Sequence, residues 1–301
     1  MKQYYKSAGL FLIVFIIVSA IFLWGRSWRN EVDVDAIIPL PATRVVVGAS
    51  FATLADIASI IVGDRADVYA QHSLESFAQA TAHHKGPKIF FTTQALQDVY
   101  KPSRNDPRVV VLRNDSSQNA EWKEHPLVEV SWEGGREIYF WLSFSGAQNI
   151  AQQIAREIGN VDEINKVWYL SNAYEYSISL ANARREALDV LAPFVYDNVA
   201  LLGNSFDAFA QDLHLDVAGW FDVPPKEDID EAFLEYLSKV FKKARIQLIV
   251  IDPSFPREAV QGAFDDANVR VAVLDPWGAG SSGTFLELLR LNVSEILRGF
   301  R

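Results

Sequence analysis

The chain has 301 residues, half of them hydrophobic and 22% charged, with 28 Lys and Arg against 38 Asp and Glu for a formal net charge of −10. That length accommodates two α/β lobes with ordinary cores, and the acidic balance argues against a nucleic-acid partner, whose phosphates need clustered Lys and Arg. The absence of cysteine excludes disulfides, thiolate metal sites, cysteine nucleophiles and a lipidated N-terminal cysteine.

Ser7 to Gly25 runs without a charge (SAGLFLIVFIIVSAIFLWG). As a helix it would extend roughly 28 Å, close to the hydrocarbon thickness of a bilayer. Trp24 and Arg26 flank its far end as interfacial anchors would. The competing reading is a cleaved signal peptide, with Lys2 and Lys6 as n-region and Val18-Ser19-Ala20 as cleavage site, but the apolar run continues past that point. We therefore expect a membrane anchor over residues 1–26, with Lys2 and Lys6 on the inner side. Residues 27–43 are polar, acidic and interrupted by Pro39 and Pro41, as a linker would be.

From Arg44 on, short β-branched runs alternate with helical periodicity. Arg44 to Gly48 is a buried strand, Thr53 to Ile61 a helix, and Asp67 to Ala70, Lys88 to Phe91 and Arg108 to Leu112 are further strands. Alternation of this kind predicts a parallel sheet covered by helices. Val161 to Ala192 has no Gly or Pro and is rich in Ala, Leu, Glu and Arg, which predicts one long helix stopping before Pro193. The alternation then returns. Asn198 to Leu202 reads as a strand, Phe206 to Leu213 and Asp228 to Lys243 as helices, Gln247 to Ile251 as a strand, Arg257 to Asp266 as a helix and Val269 to Leu274 as a strand; a last helix starts near Thr284. The basic group Lys242-Lys243-Ala244-Arg245 closes a helix, where cations suit the macrodipole. The expected fold class is α/β: an N-terminal lobe over 44–160, a linking helix over 161–193 and a C-terminal lobe over 194–301, each lobe a mostly parallel sheet covered by helices. Ligands of such lobes bind beyond the carboxyl ends of the strands. His72, Tyr139, the Ser205-Phe206-Asp207 turn and Asp275 all follow strand-like runs and are expected to face one cleft.

In order along the chain, Ser50-Phe51-Ala52-Thr53-Leu54-Ala55-Asp56, Gly63-Asp64-Arg65, His72-Ser73-Leu74-Glu75, Trp141-Leu142, Ser205-Phe206-Asp207-Ala208-Phe209 and Leu274-Asp275-Pro276 carry a resemblance. Together they resemble the periplasmic solute-binding proteins of zinc and manganese ABC importers (cluster A-I) over roughly residues 44 to 299. The resemblance implies a metal site at His72, Tyr139, Phe206 and Asp275, so two of its four ligand positions are substituted. Phenylalanine cannot coordinate, and a phenol with an ordinary pKa near ~10 is a poor ligand. Zinc takes about three or four protein ligands, and Asp207 could supply a carboxylate to complete His72, Asp207 and Asp275, or it could cap the helix that starts there. Tyr139, Phe206, Ser205 and Trp141 would line the remaining pocket.

Other motifs carry less. Gly278-Ala279-Gly280-Ser281-Ser282-Gly283 fits G-x-G-x-x-G but lacks the following strand and acidic residue of a dinucleotide site. No Gly-x-Ser-x-Gly elbow or paired carboxylates are present, so no enzyme is expected. His83-His84 precedes Lys85-Gly86-Pro87 and is expected to be a solvated loop pair. By resemblance, the function is that of a membrane-anchored receptor on the extracytoplasmic (periplasmic) side, with altered or weakened binding of zinc, manganese or another small solute, serving an ABC permease and ATPase. The alternative is a receptor fold that has lost its solute and acts as an interaction or regulatory module in a membrane complex.

Overall fold

Runs rich in β-branched, aliphatic and aromatic residues with little polar alternation form the inner strands (Val45–Ala49, Lys88–Thr93, Asn198–Leu202 and Leu248–Ile251), as expected where both faces of a parallel sheet are covered. The computed structural model describes residues 44–93, 108–113, 139–203, 205–221, 231–255, 257–264, 269–278 and 283–301. The expected anchor (1–26) and linker (27–43) lie outside them. Among the described residues no helix is long and apolar enough to cross a membrane.

The first lobe contains β1 (Val45–Ala49), α1 (Ala52–Val62), β2 (Ala66–Ala70), α2 (Leu74–Ala80), β3 (Lys88–Thr93) and β4 (Arg108–Leu112). Its strands pair in parallel in the order β2-β1-β3-β4. Ala49 lies opposite both Ala70 and Phe91, so three strands deliver Ser50-Phe51, Gln71-His72 and Thr92-Thr93 to one edge. Because β1 and β3 are neighbours in the sheet but not in the chain, that edge is a topological switch point. Leu54, Ile57, Ala58 and Ile61 form the buried stripe of α1. The helix ends at Gly63, whose φ of 56° is the left-handed conformation that glycine adopts without strain.

The second lobe repeats the plan with β5 (Asn198–Leu202), β6 (Asp216–Phe221), β7 (Leu248–Ile251) and β8 (Arg270–Val273), ordered β6-β5-β7-β8 and all parallel. When the two helices between the lobes are numbered first, as α3 and α4, the helices of this lobe are α5 (Asp207–Asp212), α6 (Glu231–Ala244), α7 (Arg257–Phe264) and α8 (Phe285–Phe300). Thr284 starts α8 with a capping box, its hydroxyl accepting from the Glu287 amide while Glu287 accepts from the Thr284 amide.

Between the lobes stand α3 (Phe144–Val161) and α4 (Lys166–Leu191), packed along each other. The long run from Val161 is thus not one helix but a helix end, a break and a new start. Asp162 makes the break: its Oδ2 accepts from Asn165 Nδ2 at 2.8 Å and from the Tyr169 hydroxyl at 2.7 Å, all three residues buried. Burial, and then this bond to the Asp162 carboxylate, push the Tyr169 phenol well above its ordinary value, so it stays a donor. Tyr169, Ala173, Tyr176, Leu180, Ala183, Ala187 and Leu191 form the buried stripe of α4, which packs on α1, α3 and α8.

One apolar core runs from the inner face of the first sheet (Val47, Ile89, Phe91) through α3 and α4 to the inner face of the second (Val199, Leu201, Val250). Smaller clusters cover the outer faces. Residues Ala42–Arg301 form one compact unit that contains every described strand and helix together with these cores, which is what a segment needs in order to fold by itself.

Candidate functional site: an aromatic cleft between the lobes

The cleft is built from four rings, Phe51 and Trp277 shortly after strands and Tyr139 and Trp141 at a 3-10 turn. Phe51 follows β1 after Ser50. Tyr139 precedes the 3-10 turn Phe140–Leu142, which carries Trp141. A Cβ at Gly146 would overlap the Phe140 carbonyl, so the glycine lets this turn lie against the start of α3. The amide of Gly146 then bonds the Ser143 hydroxyl, the N-cap of that helix. From the other lobe comes Trp277, on the turn after β8.

These rings meet across the lobes. The Trp141 centroid is 5.1 Å from Phe51 and 4.9 Å from Tyr139, and Trp277 stands edge-on to Phe51 at 5.9 Å and to Tyr139 at 5.8 Å. Trp141 and Trp277 are 6.1 Å apart. Such separations are those of directly packed aromatic pairs. Trp141 is buried and Trp277 is 40% exposed, so the cluster is closed inside and open at its outer rim. Among the described residues the buried Trp141 Nε1 has no hydrogen-bond partner.

Asp275 shapes the turn that presents Trp277. Its Oδ1 accepts from the amides of Trp277 and Gly278, both at 2.8 Å. Asn292 of α8 clamps the Asp275 backbone through its side-chain amide, accepting from N and donating to O at 3.0 Å each. Phe206 is buried in the core that contains Phe51, Trp141 and Leu274, and Ser205 beside it is half-buried. Asp207 is buried as well, but it is not the cap of α5. Phe206 holds that position without a side-chain bond, and Asp207 Oδ1 accepts instead from Trp220 Nε1 of β6 at 2.9 Å and from Gln211 at 3.4 Å. His72 is exposed in the turn before α2. Among the described residues no group of three or more His, Asp or Glu side chains is placed to hold a metal ion, so His72, Asp207 and Asp275 are not gathered as one ligand set. The expected pocket residues Tyr139, Trp141 and Phe206 do belong to one core. His84 departs from the solvated pair expected of His83-His84, since it is half-buried and shares a hydrogen bond with the Tyr69 hydroxyl at 3.1 Å.

Polar ties hold the second lobe to the helices between the lobes and to the first lobe. Asp212, buried at the end of α5, accepts from the Ser145 amide and hydroxyl of α3 at 3.1 and 2.9 Å and from Arg184 Nε of α4 at 2.7 Å. Asp56 of α1 accepts from the Phe285 amide, at the start of α8, at 2.7 Å. Burial raises the Asp56 pKa, the Phe285 bond offsets part of that, and the nearby Glu287 charge adds to the rise. The buried Tyr176 hydroxyl of α4 is pushed up by burial and by the Asp56 charge.

Phe51 and Trp277 were not among the residues expected from sequence. The signals were weak but present: Phe51 lies in the Ser-Phe motif, and Trp277 comes two residues after Asp275.

Residues 47–299 match the ZnuA family, described as "Zinc-uptake complex component A periplasmic". The high-affinity zinc uptake system protein ZnuA of Brucella abortus is 25% identical over 146 residues, which is 48% of this chain and 44% of that relative. The chain thus aligns with less than half the length of this relative. Among solved structures, the solute-binding protein FpvC of P. aeruginosa in complex with Ni2+ superposes with a TM-score of 0.64 at 19% identity, covering 86% of this chain and 97% of that one. A periplasmic metal binding protein from candidatus Liberibacter asiaticus gives 0.65 at 14% identity, covering 86% and 100%. Such likenesses speak for the two-lobed α/β fold. The family match spans both lobes and the helices between them, and the chain belongs to the ZnuA family of periplasmic zinc-uptake components.

Proposed function

We propose that this chain is a membrane-anchored, extracytoplasmic solute-binding protein of the zinc and manganese importer type in which metal binding is weakened, and that it performs no chemistry. Residues 1–26 would anchor it, 27–43 would act as linker, and an ABC permease and ATPase would be its partners. The carrying observation is the aromatic cluster of Phe51, Tyr139, Trp141 and Trp277 where the two lobes meet. A site that strips a divalent cation of its water must return several N or O ligands, and packed rings return none. In this proposal His72 and Asp275 are the remaining donors, with Asp207 reaching the cation only by leaving Trp220; Tyr139, Phe206, Ser205 and Trp141 wall the cleft.

Calorimetric titration of the full chain with Zn2+ and with Mn2+ tests this. One equivalent should bind no tighter than about 1 µM, or about −8 kcal/mol, and His72→Ala should abolish it. Nanomolar stoichiometric binding would refute the weakened site. The second reading, a receptor fold without a solute, is favoured by the engagement of Asp207 with Trp220 and of Asp275 with its own turn. It predicts no heat from either metal up to about 1 mM, beyond which binding is worth less than about 4 kcal/mol.

A further inference from the structure

Three buried polar atoms near the start of α1 have no hydrogen-bond partner among the described residues: the hydroxyls of Thr53 and Thr93 and the indole Nε1 of Trp141. Thr53 is 6%, Thr93 0% and Trp141 1% exposed. Buried polar atoms are normally paired, because leaving water without gaining a new bond is costly.

The register of the first sheet brings these residues to one place. Ser50 donates its amide to the Phe91 carbonyl at 3.0 Å, which carries the pairing of Ala49 with Phe91 past the end of β1 and sets Phe51 beside Thr93. Thr93 lies two residues after Phe91 on β3, on the face that Ile89 and Phe91 give to the inner core. Phe51 belongs to that core, is the N-cap residue of α1, and holds its ring 5.1 Å from Trp141. Thr53 stands in the first turn of the same helix.

The helix start offers further donors. Phe51 caps α1 without a side-chain bond, and no acidic residue stands in its first turn. The first backbone bond within α1 runs from the Ala55 amide to the Phe51 carbonyl, so the amides of Ala52, Thr53 and Leu54 have no acceptor inside the helix. Amides and an indole N–H only donate, and a hydroxyl can. The set therefore calls for an acceptor, and a helix N-terminus favours a negatively charged one. Residues 49–55, 91–93 and 139–143 contain no Lys or Arg, and neutral donors match the single charge of a carboxylate more closely than a phosphate dianion. Asp56, the one acid of α1, lies beyond the first turn and accepts from the Phe285 amide. The neighbouring rings indicate the rest of the molecule. Trp141 brings a ring face as well as a donor, and Tyr139 and Trp277 continue the apolar wall to the open rim. Apolar walls with a few convergent polar groups are the make-up of sites for small organic molecules.

We propose that the start of α1, with Thr53, Thr93 and the Trp141 indole N–H, binds the carboxylate of a small aromatic acid whose ring lies among Phe51, Tyr139, Trp141 and Trp277. The inference rests on the reading of the cleft as a solute site, and gives it a solute class that uses none of His72, Asp207 and Asp275.

Calorimetric titration with phenylacetate tests this on the full chain and on Trp277→Ala, which lacks the ring at the rim. Phenylacetate should bind at one site with a Kd below about 1 mM. Phenylacetamide lacks the charge, while acetate and inorganic phosphate lack the ring, and each should bind at least about tenfold more weakly. Thr53→Val and Thr93→Val keep the side-chain shape and remove one hydroxyl each. Each should weaken phenylacetate at least about fivefold, yet raise the urea midpoint of the ligand-free chain, because an unpaired buried hydroxyl is gone. Thr92→Val removes a hydroxyl from the opposite face of β3, where Phe90 lies, and should leave the affinity within about twofold. The Trp141 indole N–H resonance, assigned by its loss in Trp141→Phe, should move downfield on saturation. Valine variants at 53 and 93 that bind like the parent, or that destabilise the free chain, would show that ordered water alone satisfies these atoms and overturn the proposal. So would equal loss with Thr92→Val, an unmoved Trp141 resonance, a comparison compound that binds as tightly as phenylacetate, or no binding by either chain. In that last case a Zn2+ titration keeps the readings apart: micromolar binding leaves the weakened metal site standing, and no heat leaves a receptor fold without a solute.

Discussion

Replacing Trp277 by alanine removes the second lobe's share of the aromatic cluster and leaves its supporting turn intact, because the Asp275 carboxylate bonds the backbone at 277 and 278 and not the indole. Large-to-small changes of a fully buried tryptophan cost about 3–5 kcal/mol. Trp277 is 40% exposed, so scaling by the buried share gives about 2–3 kcal/mol. Three ring contacts, to Phe51, Tyr139 and Trp141, at about 0.5–1.5 kcal/mol each bracket the same figure. The two routes count the same contacts and are not added. Urea unfolding followed by far-UV circular dichroism should show this loss, which lowers Tm by about 5 °C in a unit of this size. Near-UV circular dichroism should lose the coupling of Trp141 and Trp277, 6.1 Å apart. A stability change below about 0.5 kcal/mol with an unaltered near-UV spectrum would show that Trp277 does not rest on the first lobe's rings, and the closed cleft would fall with it.

Two further predictions concern the polar ties. Asp212→Ala leaves the half-buried Arg184 without its carboxylate, while the exposed Ser145 can turn to water, and should cost about 3 kcal/mol, near the lower end for breaking a buried pair because Arg184 also touches water. Arg184→Ala should cost about half as much, since Ser145 still satisfies the carboxylate, and a double-mutant cycle should give a coupling above about 1 kcal/mol. For Asp56 the folded-state pKa is raised above its unfolded value of 3.8. The folded protein therefore binds this proton more tightly, and the group's stabilising contribution is complete below the unfolded value and lost as pH rises through the folded one. Asp56→Asn keeps an acceptor for the Phe285 amide and removes the charge beside Glu287. The variant should gain on the parent as pH rises from about 4 to about 7 in urea titrations; a difference independent of pH would refute the assignment.

Much of the architecture was legible because it is local. Val45-Val46-Val47 and Leu248-Ile249-Val250-Ile251 are runs whose burial on both faces is implied by their composition. The capping box at Thr284 marks the last helix. Elements without such signals were missed. β6 reads Asp-Val-Ala-Gly-Trp-Phe, where Ala-Gly interrupts the β-forming residues, and it is a strand because β5 supplies its partners. α3 begins Phe-Ser-Gly, and its glycine serves the neighbouring turn at the expense of helix propensity. The break at Asp162 has no Gly or Pro because a buried hydrogen-bond group makes it.

The site divides along the same line. That His72, Asp275 and the Ser205-Phe206-Asp207 turn follow strands could be read from residue types and spacing. What Asp207 does could not, since its partner Trp220 lies on the next strand of the sheet and bonds it only once β5 and β6 are paired. The Phe51 to Trp277 contact joins opposite ends of the chain and leaves no periodic trace.

Two routes could admit a solute to this cleft, and their costs differ. Rotating the lobes apart must separate a single core whose residues continue from Val47 and Phe91 through Leu180 to Leu201 and Val250, and must also break the Asp56 tie to the Phe285 amide. Apolar burial is worth about 1.5–3 kcal/mol for each large side chain exposed, so even a modest opening that bared four of them would consume about 6–12 kcal/mol, on the scale of the whole stability of a domain. Swinging the Trp277 ring away from Phe51, Tyr139 and Trp141 exposes one partly buried side chain, at about 2–3 kcal/mol. A thermal population of roughly one molecule in a hundred follows from that figure. Access through the Trp277 turn is therefore the cheaper route by several kcal/mol, and it leaves the linking helix and both sheets where they are.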